Sequence, residues 1–290
     1  MRTAPTLLVL AASLLCAPVA MALSEYGIEG MGVVSSKAAE GRASVSPDGQ
    51  RIVFASDRAG GTGGWDLWQA SLREGRWQAA QPLALNSAHD EVDPYFSHDG
   101  RWLLFASNRE AGFALYRAPV SAAGEVGTPE RLPGENARAP ERSPALSVQD
   151  DWLLFSRKDA EGGWNLHAAP MREAGRGTAR ALEALNTAAD ERSADWLGTQ
   201  GAVVFSRAEG DRAQVWHAAC AFSGADVRVM ELSFNTAEGF TDAPVVDAAK
   251  PTELLVSSRS ARSPRAGNTD VYRLVTPKVA GMPGCLPASR

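Results

Sequence analysis

The stretch SPDGQRIVFASDRAGGTGGWDLWQA, residues 46–70, decides the fold. Its residues 47–49, Pro-Asp-Gly, favour a tight turn, because proline presets φ and Asp and Gly tolerate turn conformations. Residues 52–54, Ile-Val-Phe, form a short β-branched and aromatic run that is typical of a buried strand. Polar residues 56–58 and a glycine-rich loop then lead to a second strand at residues 65–68. The stretch predicts a turn, a strand, a loop and a second strand.

The same pattern recurs four more times along the chain. The five copies align on Phe54, Phe105, Phe155, Phe205 and Val256, with steps of 51, 50, 50 and 51 residues. A constant period over five copies indicates a repeat architecture, and no helical periodicity interrupts it. Each copy has room for four short strands, the length of a propeller blade. The sequence therefore predicts an all-β fold, a β-propeller of four-stranded blades.

Five blades fit the repeat count, and six blades are the alternative. Residues 33–36 occupy the repeat position of residues 83–86, which we place at the end of an outer strand. We therefore expect an N-terminal strand to pair with the last blade and close the ring, which removes exposed sheet edges. The expected organisation is a signal peptide at 1–22, a β-propeller at 23–275 and a C-terminal tail at 276–290.

These repeats resemble the TolB-like β-propeller repeats, a WD40-like family of periplasmic propellers. The resemblance is carried by SPDGQRIVFASDR with GGTGGWDLW, and by LNSAHDEVDPYFSHDG with LLFASNR. It covers residues 33–274 and weakens after the second copy, where residues 149–150, 198–199 and 248–249 replace the Pro-Asp-Gly turn. The resemblance implies a propeller that binds partners in the cell envelope. We expect the chain to lack the N-terminal α/β domain of TolB, so the role of that protein in the Tol-Pal system carries over poorly.

The first 22 residues have the features of a secretory signal peptide. Arg2 is their only charged residue, residues 7–16 are an apolar run, and Ala20-Met21-Ala22 is a small-x-small cleavage site. Cleavage after Ala22 predicts a periplasmic protein, with secretion as the alternative. No other apolar stretch approaches the length of a membrane span, so we expect none in the mature chain. Cys220 and Cys285 remain after cleavage, and an oxidising compartment favours a disulfide between them over two unpaired thiols.

The formal net charge of the chain is -5. Mild acidity argues against a nucleic-acid partner, because no basic surface is available to neutralise a phosphate backbone. We expect a monomer whose partner is an envelope protein or a small ligand.

An acidic residue before the innermost strand and an arginine after the second strand recur from copy to copy. A carboxylate accepts the arginine fork through two hydrogen bonds, so these residues are interpreted as ion pairs that lock the blades rather than as catalytic groups. Phe240 interrupts the acidic series in the last copy. The predicted structural ion-pair residues are Glu40, Glu91, Glu141, Glu191, Arg58, Arg109, Arg157, Arg207 and Arg259.

Metal and cofactor sites have weak sequence support. His89, Asp90, Glu91 and Asp93 form the densest group of potential ligands, and carboxylates at this spacing are able to bind calcium. Asp190-Glu191 repeats part of the group one copy later, without a glycine-bracketed calcium loop, which favours a blade corner. No Gly-Lys-Ser/Thr follows the glycines at 60–64, so they are interpreted as a hairpin loop. We expect no metal and no cofactor.

The sequence contains no Gly-x-Ser-x-Gly elbow and no His-Glu-x-x-His motif, and we expect a binding protein rather than an enzyme. The alternative is a glycoside hydrolase of the five-bladed type, which would place carboxylates at the mouth of the central channel. Asp93, Asp195 and Asp242 are its candidate residues, because they lie near innermost strands of different blades.

Binding is expected where the copies differ, since loops on a rigid scaffold change at little cost. Trp65, Trp77 and Trp164 are candidate partner anchors, but packing within the blades is the favoured interpretation of each. Arg262 and Arg265 form a local basic patch in the last copy. Four polar residues beside the innermost strands are expected to line the channel entrance: Asp93, Ser143, Ser193 and Asp242.

Overall fold

The computed structural model describes residues 29–134, 139–259 and 267–287, and in these residues the fold is all-β. Five antiparallel sheets form a five-bladed β-propeller, which confirms the predicted fold and excludes the six-bladed alternative. The strands of each innermost position contact those of both neighbouring blades, and the last contacts the first, so the ring is closed. No helix in the described ranges is long and apolar enough to cross a membrane.

The strands follow the blades in order, apart from the first. Strand β1 (Glu29–Gly30) belongs to the last blade. The first blade has β2 (Glu40–Val45), β3 (Arg51–Ser56), β4 (Asp66–Arg73), β5 (Arg76–Trp77) and β6 (Gln81–Pro82). The second has β7 (Glu91–Phe96), β8 (Trp102–Ser107), β9 (Ala114–Pro119) and β10 (Glu130–Arg131). The third has β11 (Glu141–Leu146), β12 (Trp152–Lys158), β13 (Trp164–Arg172), β14 (Gly175–Arg176) and β15 (Arg180–Ala181). The fourth has β16 (Asp190–Leu197), β17 (Ala202–Glu209), β18 (Arg212–Ala218) and β19 (Arg228–Val229), and the fifth has β20 (Thr241–Val246), β21 (Glu253–Ser258) and β22 (Asp270–Val275).

The N-terminus closes the ring, four residues earlier than the sequence predicts. Strand β1 pairs with β22, with Gly30 opposite Tyr272. Residues 32–34 form a turn in which the amide of Val34 donates to the carbonyl of Met31. Residues 33–36 correspond to residues 84–87, one position later than the repeat comparison places them, because Val34 and Leu85 both accept from the arginine of their blade. Residues 84–85 are also a turn that follows the short strand β6. The hydrophobic residues at this repeat position fill the blade interface instead of pairing.

The phenylalanines that mark the repeat lie at the centres of the blades. Phe54, Phe105, Phe155 and Phe205 are fully buried, and Val256 holds the same position in the fifth blade at 1% exposure. Each belongs to the second strand of its blade, where both faces of the sheet are covered by neighbouring blades. Burial on both faces explains why these strands read as continuous apolar runs rather than alternating ones.

Buried glutamates anchor the start of the innermost strand in four blades. Each carboxylate lies 2.7–3.0 Å from an arginine of its own blade: Glu40 from Arg58, Glu91 from Arg109, Glu141 from Arg157, and Glu191 from Arg207. The guanidinium reaches the glutamate in two ways. In the third and fourth blades the arginine stands directly opposite it across the strand pair. In the first two blades a serine stands there and donates to the carboxylate, while the arginine reaches back from two residues further on.

The fifth blade departs from the predicted ion-pair pattern. Thr241, not Phe240, occupies the position of the glutamates, and its hydroxyl lies 3.1 Å from that of Ser258. Arg259 therefore has no glutamate to pair with and forms no ion pair among the described residues. Its guanidinium instead lies over the ring of Phe240, 4.2 Å from the centroid. Threonine lacks the negative charge of the glutamates, and Arg259 is exposed at the surface.

Cys220 and Cys285 form a disulfide, with their Cα atoms 5.6 Å apart. Cys220 follows strand β18 of the fourth blade, and Cys285 lies in the tail after the last strand. The bond therefore holds the tail against the fourth blade. Trp77, one of the candidate anchors, is partly buried against the core of the first blade.

Candidate functional site

The five innermost strands all begin at the same face of the propeller. The residues that open them, together with the loops before the third strands, enclose a cavity of about 750 Å³ at this end of the central channel. We call this cavity the channel mouth. The turns between first and second strands, such as residues 46–50, lie at the opposite end of the strands. The channel mouth is lined by charged, hydroxyl and aromatic side chains from all five blades.

A β-bulge near the start of each innermost strand shapes the channel mouth. In four blades the bulged residue has a positive φ of 53–57°, which is rare outside glycine. These residues are Asp93, Ser143, Ser193 and Ala243. In the first blade the extra residue falls one position earlier, so that Gly41 and Arg42 together oppose Ala55. The bulges turn polar side chains at equivalent repeat positions into the channel.

Ion pairs between neighbouring blades form the wall of the channel mouth. Arg142 of the third blade donates through Nε to Asp93 of the second blade at 2.9 Å and through Nη2 at 3.2 Å. Burial by itself raises the pKa of Asp93, but the charge and hydrogen bonds of Arg142 outweigh it and leave that pKa lowered. Arg192 of the fourth blade pairs in the same way with Asp242 of the fifth, at 2.9 Å. Both wall carboxylates are therefore neutralised by an arginine.

Hydroxyl groups complete the wall between these pairs. The hydroxyl of Ser143 lies 3.2 Å from Asp93 and 3.3 Å from the hydroxyl of Ser193. The amide of Ser143 also donates to Asp93. Asp93 thus has four donor contacts, a number that suits a permanently ionised carboxylate.

Arg42 lies deeper in the channel than these pairs and is 1% exposed. Its Nη2 donates to the carbonyl of Ala194 in the fourth blade at 3.3 Å, and its guanidinium lies 5.6 Å from the ring centroid of Tyr95. Its Nε and Nη1 atoms have no hydrogen-bond partner in the part of the chain that the structure describes. Burial lowers the pKa of Arg42, while Asp195 and Asp93 act in the opposite direction.

Asp195 belongs to the packed interior behind the channel mouth and does not line it. Its carboxylate accepts hydrogen bonds from the Tyr95 hydroxyl at 3.1 Å, the Val246 amide at 2.8 Å and the Trp196 amide at 2.8 Å. Burial raises the pKa of Asp195, partly offset by the Arg42 charge. Its hydrogen bonds connect the second, fourth and fifth blades around the channel.

Aromatic side chains form the rim of the channel mouth. Trp65, Phe113 and Trp164 hold equivalent positions at the start of the third strands, and each is partly exposed. The fourth blade has Ala213 at that position, and Phe240 pairs with it in a β-bridge and takes the aromatic place. The rim thus offers four flat apolar faces above a polar wall.

The structure brings together Asp93, Ser143, Ser193 and Asp242, the four predicted channel residues, at the channel mouth. Asp242 is equivalent to Arg142 and Arg192 rather than to the other three, because the bulge follows it. Arg262 and Arg265 lie outside the described residues. Sequence reasoning missed three arginines and two phenylalanines of the site: Arg42, Arg142, Arg192, Phe113 and Phe240. The signal for Arg42 was available, since it shares its repeat position with Asp93.

The group at residues 89–93 has structural contacts that account for its carboxylates. Asp90 accepts from the Trp65 amide at 3.0 Å and from Asn108, while Glu91 and Asp93 hold the arginines already described. No group of three or more potential metal ligands occurs in the described residues.

No protein-family model and no curated protein sequence matches the chain. Solved structures share its fold. A putative TolB from Agrobacterium tumefaciens has a TM-score of 0.55 at 13% identity, covering 87% of this chain and 91% of that one. TolB from Acinetobacter baumannii has 19% identity and a TM-score of 0.49, over 68% of this chain and only 46% of that protein. A thermostable family-43 glycoside hydrolase has a TM-score of 0.56 at 10% identity, covering 87% and 98%. The Agrobacterium tumefaciens and glycoside hydrolase structures agree with the propeller expected from the TolB-like repeats, and at such identities they establish the fold alone.

Proposed function

We propose that this chain is an exported, non-catalytic β-propeller that binds a protein or a small ligand of the cell envelope at its channel mouth. The observation that carries the proposal is the composition of that cavity. Four aromatic faces at the rim lie above arginines and hydroxyls contributed by different blades, within a volume of about 750 Å³. Ligand sites commonly combine apolar walls with a few placed polar groups in a cavity of this size.

The state of the carboxylates favours binding over glycoside hydrolysis. A glycosidase needs one carboxylic acid to protonate the leaving group and a second carboxylate to act as base or nucleophile. Asp93 and Asp242 are held in ion pairs with arginines that occupy their oxygens, and the charge and hydrogen bonds of Arg142 lower the pKa of Asp93 despite its burial. Asp195 has the raised pKa of a candidate acid, but its oxygens accept hydrogen bonds inside the blade interface.

Export is supported by two independent features of the chain. The predicted signal peptide at residues 1–22 directs the protein across the membrane. The disulfide between Cys220 and Cys285 suits an oxidising compartment such as the periplasm or the exterior of the cell. A monomeric propeller with a TolB-like fold in that compartment is well placed to act as a binding scaffold.

Site-specific photo-crosslinking in envelope extracts tests the proposal. We expect a benzoylphenylalanine in place of Phe113, at the rim, to capture a specific ligand or partner. The same group in place of Gln50, an exposed residue on the opposite face, is the matched control. Equal capture at both positions, or none at Phe113, contradicts a site at the channel mouth.

The hydrolase alternative is tested with the same purified protein. Incubation with plant and bacterial oligosaccharides is expected to release no reducing sugar. Hydrolysis that is abolished by Asp242→Asn, and unaffected by Asp99→Asn on the opposite face, would replace the binding proposal with an enzymatic one.

A further inference from the structure

Arg42 is a buried guanidinium with unused hydrogen-bond donors. It lines the channel mouth, is 1% exposed, and makes one hydrogen bond, to the carbonyl of Ala194. Its Nε and Nη1 atoms have no partner among residues 29–134, 139–259 and 267–287. A buried donor left unsatisfied costs about 1–3 kcal/mol, and more when the group is charged. Donors of this kind take a hydrogen-bond partner from outside the chain, either water or a ligand.

The neighbouring carboxylates do not complete it. Asp93 is bound by Arg142 and Ser143, and Asp242 by Arg192. Asp195 accepts from a tyrosine hydroxyl and two amides. These anions lower the energy of the Arg42 charge through space, but none forms a hydrogen bond with it. Among the described cations that line the channel mouth, Arg42 is the buried one that lacks a direct anionic partner, whereas Arg259, which also has none, is exposed.

We infer that Arg42 binds a carboxylate group of the ligand at the floor of the channel mouth. The inference rests on the proposed function and specifies the chemistry of what that site binds. Arginine pairs well with carboxylates and with phosphates, because its planar fork matches both. Asp90 lines the same cavity and accepts hydrogen bonds from the Trp65 amide and from Asn108 rather than from an arginine, so a doubly charged phosphate would meet more repulsion from it than a singly charged carboxylate.

The rim specifies the rest of the ligand. Trp65, Trp164 and two phenylalanines offer flat apolar faces above the floor, where a ring or an apolar side chain is able to stack. A ligand that carries a carboxylate and a flat apolar face is able to contact both Arg42 at the floor of the cavity and the aromatic rim above it. An acidic sugar and the free C-terminus of a peptide both have this chemistry, and matched probes separate the two sources.

Calorimetric titration of the mature protein tests the inference with two matched pairs of probes. The first pair is digalacturonate and its methyl ester, and the second is Gly-Gly-Phe as the free acid and as the amide. We expect the acid of at least one pair to bind about 10-fold or more tightly than its neutral form, a difference of about 1.4 kcal/mol. The pair that shows the difference identifies the source of the carboxylate.

Variants assign the effect to Arg42. Arg42→Gln is expected to remove the preference for the acid, Arg42→Lys to retain part of it, and Arg101→Gln to leave it unchanged. Arg101 is 71% exposed on the opposite face and serves as the control. Because Arg42→Gln changes a buried position, near-UV circular dichroism first establishes that this variant is folded. The comparison of acid and neutral probes on the unaltered protein does not depend on the variant.

The inference is overturned if no acid binds better than its neutral form, or if a folded Arg42→Gln protein keeps the preference. In either case, crosslinking at Phe113 still decides whether the channel mouth is a binding site. A ligand captured there that has no carboxylate overturns the inference and leaves the proposed function standing. Failure of capture at Phe113 removes the proposed function itself.

Discussion

The pair between Glu91 and Arg109 tests whether the repeated glutamates hold the blades together. Glu91 is fully buried and accepts from the Ser87 amide and hydroxyl, from Ser107, each at 2.7 Å, and from Arg109 at 3.0 Å. We consider Glu91→Thr, because the fifth blade has Thr241 at this position, together with Arg109→Gln and the double variant.

The expected magnitude follows from what each change leaves behind. Glu91→Thr leaves the Arg109 charge and the Ser87 amide without their carboxylate acceptor. Removing one partner of a buried ion pair lowers the free energy of unfolding by about 3–5 kcal/mol. The Arg109 side chain is 19% exposed, so water screens part of its charge and the lower end of that range is expected. The double variant leaves no buried charge. Its cost should therefore be smaller than the sum of the single costs by about 1–3 kcal/mol.

Urea unfolding followed by tryptophan fluorescence measures these free energies, with the disulfide intact. Glu130→Gln and Arg117→Gln provide the matched control cycle, because Glu130 is 54% exposed and pairs with Arg117 at 2.7 Å. An exposed pair is expected to show a coupling of about 0.2–1 kcal/mol. A coupling for Glu91 and Arg109 no larger than that of the control pair refutes the reasoning.

Three further predictions concern the tail, the N-terminus and pH. Cys285→Ser should lower the free energy of unfolding by about 4 kcal/mol, since the disulfide spans 65 residues, and equal stability of the two proteins in urea would contradict this. Met31→Ala should lower the free energy of unfolding by about 2–5 kcal/mol, because Met31 is 4% exposed, whereas Met282→Ala, at 44% exposure, should change it little. Equal losses of stability in urea unfolding would argue against closure by the N-terminus. His98 lies 3.4 Å from Asp150 of the next blade, and although burial opposes it, the Asp150 hydrogen bond and charge raise its pKa above 6.5. Protonated His98 should therefore add about 0.5 kcal/mol to the free energy of unfolding, complete below pH 6.5 and lost as the pH rises through the raised pKa. His98→Gln should flatten this part of the curve of stability against pH, and an unchanged curve would contradict the prediction.

The fold was largely predictable from sequence because its determinants are local and repeated. Phe54 and its equivalents mark the centre of every blade, and a period of about 50 residues leaves little choice of architecture. The closing strand was misplaced by four residues, because the apolar residues near 33–34 and 84–85 were interpreted as the end of a strand, whereas both segments are turns that follow a strand. A strand of two residues leaves almost no signal of its own.

The candidate site was predicted only in part. Asp93, Ser143, Ser193 and Asp242 were found because polar residues beside an innermost strand of a propeller face the channel. The repeat position that Arg42 shares with Asp93 already places Arg42 in the channel, but its depth there was not predictable, because the bulge of the first blade falls one residue earlier than in the others. A shift of one residue reverses the direction of a side chain in a strand, and a single sequence does not reveal it. Phe240 was an error of alignment, since Glu141 and Glu191 are 50 residues apart and the next step of 50 leads to Thr241.

The most direct test of a ligand site at the channel mouth is a crystal structure of the mature protein with the acid probe that binds more tightly. Our account predicts density in the cavity between Trp65 and Trp164, with the carboxylate of the probe within hydrogen-bond distance of Arg42. A probe bound at the opposite face or along the outer strands, with the channel mouth empty, would contradict it.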